Sequence, residues 1–359
     1  MGMFKLKKGY DIPLQGSAER RVEKAPKTTA VAVQPIDFRG LRPAMKVEAG
    51  DKVSRGSILF VDKQKPAILF RSPAAGTVRD VVRGERRVIQ RVIIDVAGDA
   101  AEKFESYTSD QVNALSISQA KEVLLNSGLW PVIRQRPFSR IADLDGSPKA
   151  IFISAVDSAP LQAESDLLLD GLDKEFQLGI NLLSILTPGK IHLSASAKTK
   201  AFFSTISGVE LHEFSGPHPA GNVGVQIHHI DRILSGEKVW YISPRHVSQI
   251  GRLLATGEYP GAKTYALTGS ELEKGHYVRG TEGAQVSDLV SQDLKGSTQR
   301  VISGNVLTGA KSSPLGFVGF YDDMITVVPE LEGRRFFGWL RLGLNANSFW
   351  PMFLSKLTP

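Results

Sequence analysis

The pattern of apolar and polar positions in the first hundred residues predicts β-structure. Two short runs, VEAGDKVSRGSILFVDK at 47–63 and SPAAGTVRDVV at 72–82, alternate apolar and polar residues around glycine-containing turns. Gly50 and Gly56 are the expected turn positions, because glycine adopts backbone conformations that other residues resist. The pattern also predicts a small core made of Val47, Val53, Ile58 and Phe60.

The middle of the chain mixes helical and strand patterns. Residues 117–126 predict a helix that ends at Gly128, and the unbroken apolar run at 150–156 predicts a buried parallel strand. Apolar residues then recur at helical spacing over 161–186, and further strands are expected at 190–194 and 200–206. This alternation predicts an α/β unit.

Strand patterns return after residue 254. The segments 264–269, 276–280 and 300–305, with a short helix at 284–291, predict a small mixed unit of the β-grasp type. The last 24 residues hold six large aromatic side chains, Phe336, Phe337, Trp339, Phe349, Trp350 and Phe353. We expect this segment to be a contact surface, with Trp350 and Phe353 as candidate partner contacts.

Composition narrows the possible functions. The 359 residues are 42% hydrophobic and 23% charged, which is typical of folded globular proteins. No stretch approaches the roughly 20 apolar residues of a membrane-spanning helix, and the first residues lack the apolar core of a signal peptide. We therefore expect a cytoplasmic protein with no membrane span.

The net charge of +7 is spread along the chain without a nucleic-acid recognition motif, so no nucleic-acid partner is expected.

The absence of cysteine excludes disulfides, thiolate nucleophiles and cysteine-held iron–sulfur clusters. The common phosphate-loop, dinucleotide-binding, nucleophile-elbow and zinc-protease motifs are also missing, and no residue is assigned a catalytic role. One dense polar segment, GPHPAGNVGVQIHHID at 216–231, holds three of the seven histidines. A metal site there would use His218 with His228 or His229, and Asp231 as an oxygen ligand.

We favour a structural interpretation of this segment, in which a proline-stiffened loop leads into a half-buried strand at 225–230. Alternate side chains of a strand point to opposite faces, so His228 and His229 could not both join His218. No metal site is therefore predicted. His218 and His228 are kept as candidates for ligand or partner contact.

The first unit resembles the biotinyl/lipoyl type of barrel-sandwich domain, through V-x-x-G-D-x-V-x-x-G-x-x-L followed by S-P-x-x-G-T-V. In carrier domains of this type a lysine in a tight exposed hairpin bears the cofactor, and Lys63 lies near that place. The following segment, QKPAILFR at 64–71, contains Pro66 and an apolar run that do not suit a tight hairpin. Lys63 is therefore predicted to be unmodified, with no covalent cofactor.

Ordered motifs along nearly the whole chain are similar to those of the NqrA family, one of the subunits of the sodium-translocating NADH:quinone reductase. They are FKLKKGYDIPLQG at 4–16, SPAAGTV at 72–78, GPHPAG at 216–221 with HHID after it, YISPRHV and IGRLLATGEY within 241–259, RVISGNVLTG at 300–309 and RRFFGW at 334–339. The family in turn resembles the RnfC subunit and the flavin-carrying subunit of complex I. The resemblance implies a barrel-sandwich hybrid domain, a Rossmann-like α/β domain and an SLBB β-grasp domain.

The resemblance also bears on flavin. In flavin-binding relatives a glycine-rich G-x-G-G-A-G-F-P loop follows the early helix, whereas this chain has NSGLWP at 126–131. Trp130 is bulky where the backbone must approach a phosphate. A segment that contacts flavin in those relatives is replaced here by residues His228 to Asp231. The chain is expected to bind no redox cofactor, and an RnfC-like flavin-binding electron-transfer subunit is the alternative.

As a member of such a family, the chain is expected to be a peripheral subunit on the cytoplasmic side of the bacterial inner membrane. Its expected partners are the other subunits, especially the membrane subunits; NADH oxidation and flavins belong to those other subunits, and ubiquinone is its own candidate ligand. The isolated chain is predicted to be inactive. An unrelated sugar- or nucleic-acid-binding module remains a third hypothesis. The expected divisions are 1–103, 104–254, 255–311 and 312–359, the last being the start of a truncated C-terminal region.

Overall fold

The structure is a computed structural model. It describes residues 2–156, 158–296 and 298–330, and beyond them Gly333, Phe337, Leu340, Leu342, Gly343, Phe353 and Leu354. No helix in these residues is long and apolar enough to cross a membrane.

The N-terminal segment contributes one strand to each of two distant sheets. Strand β1 (Met3–Lys5) pairs in parallel with residues 213–215 in the sheet of the second unit. Strand β2 (Val22–Lys24) pairs in parallel with residues 277–279 in the sheet of the third unit. The start of the chain therefore ties together the two units that follow the barrel-sandwich domain.

The first unit is built from two small antiparallel sheets. Its strands are β3 (Ala30–Val33), β4 (Pro43–Met45), β5 (Lys52–Val53), β6 (Ile58–Asp62), β7 (Leu69–Arg71), β8 (Gly76–Arg83) and β9 (Ile89–Val96). One sheet has the order β3-β9-β8-β5 and the other the order β4-β6-β7. Val53 and Phe60 are buried as predicted, and the Phe60 ring stacks on Phe70 with centroids 4.7 Å apart. Val47 and Ile58 are half-buried.

The second unit is an α/β domain around a seven-stranded sheet of order β1-β14-β13-β12-β15-β10-β11. Its own strands are β10 (Arg134–Arg136), β11 (Arg140–Ile141), β12 (Ile151–Ala155), β13 (Ile191–Ala195), β14 (Glu210–Ser215) and β15 (Val239–Ile242). Its helices are α1 (Ser109–Asn113), α2 (Ile117–Asn126), α3 (Ser165–Leu168), α4 (Asp173–Ile185), α5 (Lys200–Phe203), α6 (Val223–Ile230) and α7 (Pro244–Thr256). The predicted strand at 150–156 and the helix ending at Gly128, where φ is +73°, are confirmed.

Helices α4 and α7 pack closely on one face of this sheet. A β-carbon at Gly179 would lie 2.1 Å from the carbonyl oxygen of Val247, and one at Gly251 would lie 1.7 Å from that of Glu175. These distances are far below van der Waals contact, so the two helices can approach this closely only because both positions are glycine.

Two predicted strands of the middle region are wrong. Residues 223–230 form helix α6 because Val223, Ile227 and Ile230 share one helical face, which packs on Phe152 and Tyr241. Val223, Val225 and Ile227 are apolar residues at alternate positions, which is the spacing that predicts a strand.

The predicted strand at 200–206 is instead helix α5, followed by a turn. Ser196 and Thr199 start the helical turn: their hydroxyl groups lie 3.1 Å apart, and the Lys200 N–H donates to the carbonyl of Ser196. Phe203 then packs on Phe176 of α4, with centroids 5.4 Å apart. Tertiary packing on that ring favours a helix over the strand suggested by local composition.

The third unit has a six-stranded sheet of order β19-β18-β20-β16-β17-β2. Its own elements are β16 (Ala262–Thr268), β17 (His276–Thr281), α8 (Val286–Val290), β18 (Gln299–Ser303), β19 (Ala310–Ser312) and β20 (Met324–Pro329). The strands and the short helix predicted between 264 and 305 are confirmed. We retain the division at 103, 254 and 311 as a proposal. Strands β1, β2 and β20 lie outside the division that holds most of their sheet: β1 and β2 come before residue 103, and β20 comes after residue 311.

The segment 320–323 joins all three units. The Phe320 N–H donates to Asp37 of the first unit at 2.8 Å, and the Tyr321 hydroxyl donates to the carbonyl of Pro131 in the second. Asp323 pairs with Arg245 at the start of α7. Burial raises the pKa of Asp37 to about 6, against the opposing effect of the Phe320 hydrogen bond. The three units therefore share one buried junction.

Candidate functional site

The parallel part of the α/β sheet has the strand order of a doubly wound fold. Of the parallel strands that the second unit itself supplies, β12 comes first in the chain, and it lies between β13 on one side and β15 on the other. The chain direction across the sheet therefore reverses between β12 and β15. Ligands of such folds bind outside the carboxyl ends of the strands at this reversal. A crevice of about 670 Å³ opens there, lined by residues that follow β12 and β15.

One wall of the crevice is cationic. Arg134 and Arg136 are alternate residues of β10 and therefore share a face of that strand. Their guanidinium carbons lie 4.5 and 5.1 Å from the centroid of the Tyr241 ring. Within the described residues neither arginine forms an ion pair, and the Nε atoms of both are buried without a hydrogen-bond partner. Guanidinium groups of this kind suit anionic ligands such as carboxylates and phosphates. Sequence reasoning missed them, although the alternation in RQR was a usable signal.

His218 lies on the opposite wall. Its Nδ1 atom is 3.1 Å from the Ser158 hydroxyl, which accepts a hydrogen bond from the Gly221 N–H at 2.7 Å. The backbone N–H of His218 donates to Asp11 in the N-terminal segment. Both His218 and Ser158 line the crevice and are half-buried. The position of His218 is compatible with ligand contact, which stays a prediction.

His228 is placed differently from His218. It lies exposed in the last turn of α6, whereas the first turn of that helix borders the crevice. Because 223–230 is a helix, the expectation that His228 and His229 point to opposite faces of a strand is wrong; their rings are adjacent, with centroids 5.3 Å apart. The structure does not bring His218 and His228 together in the crevice, and partner contact by His228 stays a prediction.

Trp130 lies in the segment 126–131, which was expected to correspond to the flavin-binding loop of relatives, and it fills the core. Its side chain is fully buried, its Nε1 donates to the carbonyl of Ala142 at 2.9 Å, and its ring meets Trp240 edge-on at 5.5 Å. At the start of the same segment, the carbonyl of Asn126 accepts a hydrogen bond from the buried side chain of Arg71, which also lies against Gly128. The segment 126–131 is therefore packed by side chains.

An open groove of about 640 Å³ lies between helices α1 and α2 and the residues 104–107 that precede them. Its apolar lining comes from Phe104, Tyr107, Ala114, Leu115, Val123 and Leu253. Gln111 and Gln119 also line it, and each gives its side-chain oxygen to a helix cap, accepting from the N–H of Thr108 and Ser116. Their amide NH₂ groups are left as hydrogen-bond donors. Glu105 and Glu122 also line the groove. The groove thus combines an apolar surface with amide donors and two carboxylates.

Lys63 is exposed and lies in the six residues between β6 and β7. Its N–H donates to the carbonyl of Arg42, and the loop folds so that Ile68 is 1% exposed. This is a longer connection than the tight hairpin of carrier domains. That Lys63 is unmodified stays a prediction.

The C-terminal aromatic segment lies largely outside the described residues. Trp350 is among those outside, and Phe353 is half-buried. Phe337, Leu340 and Leu342 are 52%, 60% and 73% exposed. The proposed contact surface therefore stays a prediction.

Three family models match the chain in order. They are the NqrA N-terminal barrel-sandwich hybrid domain over residues 4–97, the NqrA second alpha/beta domain over 115–259 and the NQRA C-terminal domain, of the SLBB type, over 264–313. Among solved structures, an NAD⁺-reducing [NiFe]-hydrogenase in its H₂-reduced state is 11% identical, covering 51% of this chain and 41% of that chain. Its TM-score of 0.39 is too low to support an inference.

Curated relatives match at higher identity. The NqrA subunit of the Na(+)-translocating NADH-quinone reductase of Pasteurella multocida is 38% identical, covering 96% of this chain and 78% of the relative. Those of a Marinomonas species and of Neisseria meningitidis are 38% and 39% identical, covering 99% and 94% of this chain and 80% and 76% of the relatives. The chain therefore belongs to the NqrA family of subunits of the Na⁺-translocating NADH-quinone reductases.

Proposed function

We propose that this subunit is a peripheral part of its reductase on the cytoplasmic side of the membrane, supports assembly with the membrane subunits, and carries no redox cofactor of its own. The observation that carries the proposal is the burial of Trp130. Flavin phosphate is held where backbone N–H groups approach closely, which glycine permits and a large side chain prevents. In this chain residues 127–131 are buried instead.

The alternative is a flavin-binding electron-transfer subunit. It draws support from the cationic crevice, since Arg134 and Arg136 could face a phosphate. The glycines that line the crevice with these arginines are Gly221 and Gly224. They do not form the G-x-G-G-A-G-F-P run of flavin-binding relatives, and the chain has no cysteine to pass electrons through an iron–sulfur cluster. We therefore favour the cofactor-free function.

The isolated chain is expected to be inactive towards NADH. Mixing the purified chain with NADH and an artificial electron acceptor should give no turnover above that of buffer. Electron transfer to the acceptor at a rate proportional to the chain concentration would favour the flavin-binding alternative.

For ubiquinone, we propose the groove between α1 and α2 as the binding site. A quinone ring has apolar faces and two carbonyl oxygens, and the groove offers Phe104 and Leu115 to the ring and the amide donors of Gln111 and Gln119 to the oxygens. The cationic crevice is a poorer match, because burying an apolar ring there would desolvate guanidinium groups.

Filling the groove should weaken quinone binding. We expect Ala114→Trp to raise the Kd for a short-chain ubiquinone by about tenfold or more, measured by isothermal titration calorimetry. Ile117→Trp is the matched control, since Ile117 is 55% exposed on α2 and does not line the groove. Equal affinities in the two variants, or no binding by the unmodified chain, would reject this location.

A further inference from the structure

Two histidines and a glutamate meet on the α/β sheet, away from the crevice and the groove. His192 lies on β13, and Glu210 and His212 lie on the neighbouring parallel strand β14. His192 is paired in register with Glu210, and Glu210 and His212 are alternate residues of one strand. All three side chains therefore point to the same face of the sheet.

The distances in this cluster resemble those around a bound metal ion. The His192 Nδ1 and His212 Nε2 atoms are 3.1 Å apart, and His192 Nδ1 is 3.3 Å from Glu210 Oε2. One ligand atom from each residue lies within 4.8 Å of the other two. Zinc–nitrogen bonds of about 2.0–2.1 Å in a tetrahedral site place neighbouring ligand atoms about 3.3 Å apart. The two separations from His192 Nδ1 match the edges of such a tetrahedron, and the third ligand pair lies within 4.8 Å.

The two histidines of the cluster are buried side by side. His192 and His212 are 5% and 7% exposed. The two facing ring nitrogens, His192 Nδ1 and His212 Nε2, are 3.1 Å apart and can hold only one proton between them. At least one of them therefore presents a lone pair, which is what a metal ion binds.

Glu210 can serve as a ligand without losing its ion pair. Its Oε1 atom pairs with Lys190, while Oε2 faces His192. The Glu210 side chain is 39% exposed, which gives an ion and a water ligand access from solvent. Catalytic and exposed zinc sites often combine three protein ligands with one water.

We propose that His192, Glu210 and His212 form a binding site for a divalent transition-metal ion of the zinc class. The ion links strands β13 and β14 near the edge where the N-terminal strand β1 joins the sheet. Phe4 of β1 lies 6.0 Å from the His212 ring and stacks on Phe214 at 4.7 Å. Metal binding would thus stabilise the edge of the sheet that holds the start of the chain.

The test uses the full chain, freed of metal with a chelator and titrated with Zn²⁺ and with Co²⁺. We expect one ion per chain, a visible Co²⁺ absorption of tetrahedral intensity, and a higher melting temperature with Zn²⁺. His212→Ala should weaken binding by at least about tenfold and abolish the shift in melting temperature. His229→Ala is the matched control, because His229 is a nearby but exposed histidine on α6, and it should bind normally.

Glu210→Gln provides a second variant in case His212→Ala does not fold. It removes the carboxylate charge from a partly exposed position, so the variant should fold and bind Zn²⁺ at least about tenfold more weakly. The proposal is overturned if the unmodified chain shows no saturable binding, or if Glu210→Gln binds as tightly as the unmodified chain. It is also overturned if His229→Ala reduces binding as much as the cluster variants do.

Discussion

Replacing Arg245 by alanine is expected to lower the free energy of unfolding by about 3–5 kcal/mol, because it leaves buried carboxylates without their partner. Arg245 is 5% exposed and pairs with Glu282 at 3.4 Å and with Asp323 at 2.5 Å. Its Nη2 atom lies 2.6 Å from the His246 ring and donates to the carbonyl of Phe320. The side chain thus connects α7 to the sheet of the third unit.

Lys263, a second buried cation at the junction, cannot replace Arg245. It is 2% exposed, and burial, followed by repulsion from Arg245, lowers its pKa to about 8. Its ammonium lies 3.6 Å from Asp323 and donates to the Phe320 carbonyl, and among the described residues it forms no ion pair with Glu282. Arg252→Ala, at an exposed position of the same helix as Arg245, is the control and should cost less than about 0.5 kcal/mol. Urea unfolding free energies that differ by less than about 1 kcal/mol between the two variants would contradict the assigned role of the junction.

Trp130→Ala is expected to cost about 3–5 kcal/mol of unfolding free energy, as deletion of large buried aromatics does. The substitution removes a fully buried indole, its contact with Trp240 and its hydrogen bond to Ala142. It would also leave a cavity at the segment 126–131. Thermal and urea unfolding of the purified variant measure the effect.

Phe138→Ala is the matched control for Trp130. Phe138 is an aromatic residue close in sequence that is 64% exposed, so its loss should change the unfolding free energy by no more than about 0.5 kcal/mol. A Trp130→Ala variant as stable as Phe138→Ala would show that Trp130 does not occupy the core. The interpretation of 126–131 as a lost flavin loop would then be wrong.

The sequence predicted elements whose pattern is local. Strand β12 and helix α2 could be predicted because their signals lie in neighbouring residues. Strand β12 is an unbroken apolar run, and α2 is followed by a glycine with a left-handed backbone conformation. Helix α6 was missed because its apolar residues satisfy both helical and strand spacing, and only packing on Phe152 and Tyr241 favours the helix. Local pattern alone could not resolve that ambiguity.

Long-range pairing could not be predicted from the sequence. Strand β1 joins β14 and strand β2 joins β17, although their partners lie far away along the chain. The same limit applies to the sites. Arg134 meets Tyr241, and His192 meets His212, only because the sheet places their strands side by side. That residues 126–131 read NSGLWP, and not a glycine-rich run, is visible in the sequence because such a motif is contiguous.

The central claim, that the chain carries no redox cofactor of its own, is tested most directly by the flavin content of the purified full chain. The absorbance spectrum of the native protein and the flavin released on denaturation are measured against the chain concentration. We predict no flavin band and far less than one flavin per chain. One flavin per chain, bound to the native protein and released on unfolding, would contradict the claim.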